Sequence, residues 1–285
     1  MLRIVSLHAS LAGYRLVADW AARHGHELAL VVTPSAEDAI RRYGGDQTPL
    51  ALQLPGLGQP CLPTDRLLET AAPAVAAHQP DLVISATYPR LIPAEITGTP
   101  AYGAVNLHPS ALPRGRGPNP QRLIYTGDST AGATLHRTAA SFDTGVILSR
   151  REVPLPDPLT ARVLRDLWAR LLGEVLEEGV GRVLAGDPGV PQDESLATTA
   201  PHFTQDERWL DLTEPTVTLQ RRTAALNLAA PSALARIGDQ DVMVLGIEAV
   251  DGPQCDVKPG ALIHWEAEEV VLAQSGTGPI RLHIC

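Results

Sequence analysis

The sequence predicts an α/β protein: an open, mostly parallel twisted sheet with helices on both faces, followed by a small β-rich, barrel-like C-terminal domain. Three observations support this. Apolar runs of strand length alternate with helical periodicities over residues 1–190. Residues 191–204 are polar and rich in Ser and Thr, as a linker would be. Residues 205–285 carry one helical segment and then short alternating runs separated by turn clusters.

Each element follows from its residues. Leu2-Arg3-Ile4-Val5-Ser6-Leu7 reads as a buried parallel strand, and residues 8–13 form the loop at its carboxyl end. Leu11, Leu16, Val17 and Trp20 take helical spacing to about Arg23, with Gly25 as C-cap candidate, and residues 28–33 are the next strand. Such a strand–helix–strand unit implies a binding loop at the first strand's end, although no G-x-G-x-x-G fingerprint is present. Residues 34–63 are the least legible. Residues 37–43 suit a short helix, while Gly44-Gly45-Asp46 and Pro55-Gly56-Leu57-Gly58 are breakers. The stretch suits a lid, an acceptor-specific insert or a variable surface loop, and Arg41-Arg42 reads as a solvated pair or an anion contact.

Thr64 is placed to cap a helix running to about His78. Residues 81–86 form a strong strand that runs into Thr87-Tyr88-Pro89-Arg90-Leu91-Ile92-Pro93. Residues 102–107, 131–137 and 146–153 are further strands. From Leu159, an apolar set including Leu164, Trp168, Leu171 and Val175 recurs at helical spacing to about Leu184, a core face. In the tail, residues 216–228 suit a helix, and 233–237, 241–250, 261–266, 269–273 and 280–284 suit strands.

The chemistry concentrates in residues 104–145. Asn106 and His108 stand two apart on a strand and so share a face. Pro109 and Pro113 end the regular structure, and Ser141-Phe142-Asp143-Thr144-Gly145 is a turn carrying a carboxylate. Taken singly, Asn106 reads as a turn cap, His108 as a satisfied loop histidine and Asp143 as an Asx-turn residue. Together, an amide donor, an imidazole and a carboxylate suit acyl transfer to an amine.

The string Asn106-x-His108-Pro109-Ser110-x-Leu112-Pro113, then Arg116-Gly117 with a proline after it, then Asp143-x-Gly145, resembles the formyltransferase family that uses 10-formyltetrahydrofolate. Two departures stand out: Gly115 replaces an aromatic residue usual in that family, and residues 138–141 replace an often acidic segment. The resemblance implies that Asn106, His108 and Asp143 are catalytic. Asn106 and a protonated His108 would stabilise the oxyanion, and Asp143 would support His108 and receive the amine proton. It also implies that Tyr88, Arg90, Leu91 and Ile92 cradle the pterin ring, joined by Ser141 and Phe142. Ser10, Leu11 and Arg116 are candidates for binding the acceptor, with loop anchoring as the other reading of Arg116. The 10-formyltetrahydrofolate would be a co-substrate released as tetrahydrofolate, with no metal. The resemblance makes residues 1–190 the catalytic domain. Residues 205–285 resemble the C-terminal domain of methionyl-tRNA formyltransferases through Trp209-Leu210-Asp211, the helix after it, and Pro259-Gly260.

Composition bounds the partners. An apolar fraction of 44% and a charged fraction of 19% are ordinary for a globular chain. No run approaches the length of a membrane span and no signal peptide opens the chain, so a cytoplasmic enzyme is expected. Cys61, Cys255 and Cys285 are too scattered for a disulfide framework or a Cys-rich zinc site, and His24-x-His26 has no third ligand nearby. His136 is placed to face either the site or the core. The net charge is −9, and residues 205–285 hold six basic and twelve acidic residues, a net charge of −6. That balance makes nucleic acid an unlikely partner. The expected function is therefore N-formylation of a small-molecule or peptide amine in natural-product or secondary metabolism. The alternatives are a methionyl-tRNA formyltransferase, a 10-formyltetrahydrofolate hydrolase, or a silent module that only binds.

Overall fold

The computed structural model describes residues 1–43, 48–250 and 257–285. Its first elements are β1 (Arg3–His8), α1 (Leu11–Arg23), β2 (Glu27–Thr33), α2 (Ala36–Tyr43), α3 (Leu50–Gln53), β3 (Cys61–Pro63), α4 (Ala72–Ala77) and β4 (Leu82–Ala86). They are followed by α5 (Ala94–Thr97), β5 (Ala104–His108), α6 (Arg122–Tyr125), β6 (Thr130–Arg137), β7 (Ile147–Pro154) and α7 (Ala161–Leu184). The strands order as β3-β2-β1-β4-β5-β6-β7, parallel from β3 to β5 and antiparallel between β5 and β6. From β1 the chain steps outward to β2 and β3, then returns to β4 on the other side. The order therefore reverses between β1 and β4, which opens a crevice at their carboxyl ends.

Alternation along the buried strands sorts residues onto the two faces of the sheet. Leu30 and Val32 join Val5, Leu7, Val83, Val75 and Ile96 on one face. Val31 joins Tyr14, Leu50 and Leu54 on the other, with Cys61 packed against them. Residues 48–63 are therefore not a lid: Leu50 and Leu54 are core, and β3 pairs with β2. Arg41 and Arg42 both pair with the buried carboxylate of Asp38, which accounts for them without an acceptor. The breakers Gly44-Gly45-Asp46 lie outside the described residues. On α7, Leu164, Trp168, Leu171, Val175, Val180 and Val183 are buried, as the sequence period requires.

The tail holds α8 (Thr216–Leu226) and the strands β8 (Leu234–Ile237), β9 (Gln240–Ala249), β10 (Leu262–Ala267), β11 (Val270–Gln274) and β12 (Pro279–Ile284). These strands form a second sheet, curled and antiparallel, in the order β10-β11-β12-β9-β8. Leu219 and Leu226 of α8 pack with Val244, Val271, Ile280 and Leu282 as its core. The chain divides into two compact units. One comprises residues 1–116, 132–151 and 169–198, and the other residues 117–131, 152–168 and 199–285. Among the described residues no helix is long and apolar enough to cross a membrane.

His8, at the end of β1, is fully buried. Its Nδ1–H faces the Ala86 carbonyl at 3.1 Å, and its Nε2 has no partner. Burial pushes its pKa from 6.5 down to about 4, against the pull of that carbonyl. The unfolded chain protonates near 6.5 while the native state does not, so stability is fully present above pH 6.5 and is lost as pH falls toward 4. The loss from this group is about 3 kcal/mol. We expect His8→Leu to flatten the pH dependence of urea-unfolding free energy between pH 6.5 and 4. An unchanged slope would refute the assignment.

Candidate active site

The site is built where β5 meets β6. Their antiparallel register sets Asn106 opposite His136 and His108 opposite Thr134. The loop after β5 curls back on the strand: the Thr134 hydroxyl donates to the Ser110 carbonyl at 2.7 Å and accepts from the Leu112 amide at 3.1 Å. His108 Nε2 faces the Gly115 carbonyl at 2.8 Å, so this nitrogen carries the proton. Past β6, the turn that holds Asp143 returns the chain to the same place. Asp143 adopts φ +57°, a left-handed conformation that Asp tolerates better than most residues.

One carboxylate oxygen is the centre of the arrangement. Asp143 Oδ1 lies 3.4 Å from Asn106 Nδ2, 3.6 Å from His108 Nδ1 and 3.6 Å from His136 Nε2. Asn106 Nδ2 also donates to His136 Nε2 at 3.1 Å. That makes His136 Nε2 an acceptor, consistent with its Nδ1–H donating to the Arg137 carbonyl at 2.8 Å. His108, His136 and Asp143 are all buried. Burial pushes the His108 pKa below 6.5, and the nearby His136 adds to this; Asp143 and the Gly115 carbonyl pull the other way and are outweighed. The expectation of a protonated His108 is thereby corrected: with its Nε2–H committed to Gly115, the imidazole stands neutral, its Nδ1 lone pair turned to Asp143.

The other expected site residues divide. Because β4 and β5 are parallel neighbours, with Ser85 beside Asn106, the Thr87–Pro93 loop leaves the sheet next to the polar cluster. Leu91 in that loop and Phe142 beside Asp143 are exposed, and Ser141 is exposed with them. Tyr88 and Ile92 instead pack on the core. Arg90 is turned away to the carboxylates of Asp38, at 2.8 Å, and Asp65, at 3.1 Å, and so serves as an anchor for its loop. Arg116 likewise meets Gln192 at 2.8 Å and Glu194 at 2.7 Å, which favours loop anchoring over acceptor binding. Ser10 caps α1 by accepting from the Gly13 amide at 3.1 Å, and with Leu11, Thr48 and Gln53 it lines a cleft of about 270 Å³. His24 pairs with Glu177 at 2.8 Å, and among the described residues no cluster could hold a metal.

Comparison with known proteins meets this geometry. The formyl transferase family pattern matches residues 18–176, which include Asn106, His108, His136 and Asp143. The chain belongs to the formyl transferase family. Among its relatives, the methionyl-tRNA formyltransferase of Halorhodospira halophila is 36% identical over 199 residues, which span 69% of this chain and 63% of that protein. The methionyl-tRNA formyltransferase of Stenotrophomonas maltophilia strain K279a is 32% identical over 268 residues, 93% of this chain and 86% of the relative. HypX from Aquifex aeolicus, solved in complex with tetrahydrofolic acid, shares the fold with a TM-score of 0.73 at 20% identity, over 99% of this chain and 43% of its own.

These relatives overturn the expectation of a small-molecule amine acceptor with nucleic acid an unlikely partner, because family members matching most of this formyl transferase chain are named for tRNA. The tail's net charge misled for a physical reason. Some of its charges pair internally, as in Arg222–Glu214 and Arg236–Asp241, both at 2.7 Å. A charge total averages over such pairs, whereas screened electrostatics act over about 10 Å.

Proposed function

We propose that this chain transfers the formyl group of 10-formyltetrahydrofolate to the α-amine of methionyl-tRNA. The observation that carries the acceptor is the 86% coverage of the Stenotrophomonas relative, a match that extends through both units. The site's polar cluster supports the chemistry. The donor, when bound, supplies an activated formyl group for attack by an amine. The residues fit it: Leu91 and Phe142 offer exposed apolar side chains beside the cluster, where a flat heterocycle would be shielded from water.

Asn106, His108 and Asp143 take the working roles. Neutral His108 accepts the amine proton at Nδ1, facing Asp143 Oδ1 at 3.6 Å, which stabilises the resulting imidazolium. The amine gives up that proton as its new C–N bond forms, and the same proton then passes to the departing donor nitrogen as the old C–N bond breaks. Asn106 turns an amide hydrogen to the developing oxyanion, giving up its 3.4 Å bond to Asp143, which is long enough to be weak. His136 holds the other amide hydrogen.

The deciding experiment gives the purified chain 10-formyltetrahydrofolate with initiator methionyl-tRNA, free amines, or no acceptor. We expect formyl-methionyl-tRNA at physiological salt, with activity falling steeply as salt rises. Formylation of free amines alone, or release of formate alone, would reject the tRNA reading.

A further inference from the structure

The segment after α7 reads as a linker, yet residues 190–198 are stitched into the site. Val190 bridges to Ile147, and the Thr198 hydroxyl accepts from the Gly115 amide at 2.9 Å. Between them stands Gln192. Its Nε2 donates to the backbone carbonyls of Asp143, at 2.8 Å, and Gly145, at 2.7 Å. Its Oε1 accepts from Arg116 Nε at 3.2 Å and Nη2 at 2.8 Å. The amide orientation is fixed by these partners: the flipped amide would set its oxygen against two carbonyls and its NH2 against a guanidinium. Arg116 is held in turn by Glu194 at 2.7 Å.

We propose that Gln192 is a positioning residue for the transfer reaction, clamping the turn that carries Asp143 so that its carboxylate faces His108 and Asn106. The inference rests on the proposed function for its kinetic consequences, but its geometric content does not. Asp143 holds a left-handed backbone at the junction of two strands, and the two carbonyls that flank Thr144 are tied by one side chain. Remove the clamp and the turn can shift. A misplacement of about 1 Å in a reacting group costs about 10²-fold in rate.

The test uses the full chain with Gln192→Met, which keeps length but removes both hydrogen-bonding ends, and Gln192→Glu, which still pairs with Arg116 but repels the two carbonyls. We expect kcat to fall about 10²-fold in either variant, with KM for 10-formyltetrahydrofolate within about twofold. The His108 ring signals, followed by NMR against pH, report whether Asp143 has moved: losing the carboxylate's pull shifts the His108 titration to lower pH. Combined with Asp143→Asn, Gln192→Met should add little, since it acts through Asp143. If Gln192→Met fails to fold, Gln192→Glu carries the test. Folded variants with wild-type kcat and an unmoved His108 titration would overturn the proposal. A wild type that formylates no acceptor would refute the functional reading instead, and the titration, which needs no substrate, would still decide the role of Gln192.

Discussion

Asp143→Asn is expected to lower formyl transfer by about 10³-fold while the protein folds and melts as the wild type does. Asn tolerates the left-handed backbone at φ +57°, and the backbone carbonyl that Gln192 holds is untouched. What is lost is the negative oxygen that faces three nitrogens within 3.6 Å. His108→Ala should fall as far, since it removes the group that carries the proton in the proposed reaction. The pH dependence has a definite sign. Burial places the His108 pKa below 6.5, and in the proposed reaction the neutral form is the working base, so kcat/KM should be flat near neutrality and fall as pH drops through that lowered value. Single-turnover assays on folded variants check the first claim. Near-wild-type transfer by either variant, or activity that declines as pH rises through 6.5, would remove these residues from the roles given them.

Gly145→Ala is expected to be the most destabilising small change at the site. A methyl group built there would sit on the backbone carbonyl of Arg137, so no side-chain rotation relieves it. The approach is close because the Arg137 amide donates to the Val146 carbonyl at 2.9 Å, closing the turn around Asp143. A loss of about 4 kcal/mol follows, the scale of the most damaging single substitutions. Gly181→Ala is the contrast. It lies in α7 with open space where the methyl would go, and helix propensity predicts a gain of about 0.5–1 kcal/mol. Urea unfolding of the two variants should move in opposite directions, and a Gly145→Ala protein as stable as the wild type would contradict the close approach.

How legible the protein was depended on how each feature is encoded. That Asn106, His108 and Asp143 belong together was readable because they sit in one long ordered string with few chance equivalents, and the structure brings polar atoms of Asn106 and His108 within 3.6 Å of Asp143 Oδ1. The alternating strands and α7 were readable from period alone, since burial on a face repeats at a fixed spacing. His136 was not, because one histidine on a strand faces the core or the site with equal ease, and only the register with Asn106 decides. β3 escaped because three residues ending in Pro63 form no pattern, and only its pairing with β2 defines it. Gln192 escaped because polar residues 191–204 look like solvated linker; its partners Arg116 and Asp143 are 76 and 49 residues away. Arg90 and Arg116 were visible as charges, but whether an arginine meets a substrate or an internal carboxylate is a tertiary fact. Counting tail charges failed for the same reason.

The second compact unit is written into the chain in three separate stretches, and the ribosome meets them in order. Arg122 in α6 pairs with Glu207 at 2.7 Å, and the Tyr125 hydroxyl donates to the Glu207 carbonyl at 2.9 Å. Glu207 is made 85 residues after Arg122. At about 5–20 residues per second, that interval lasts on the order of ten seconds. Until it ends, residues 117–131 lack the segment that completes their fold. Their fate is set downstream in the message: a premature stop before residue 207 leaves Arg122 and Tyr125 without these partners for good. Damage to the stretch around Glu207 therefore reaches residues encoded 85 positions earlier, and this unit cannot be gained or lost as one contiguous cassette.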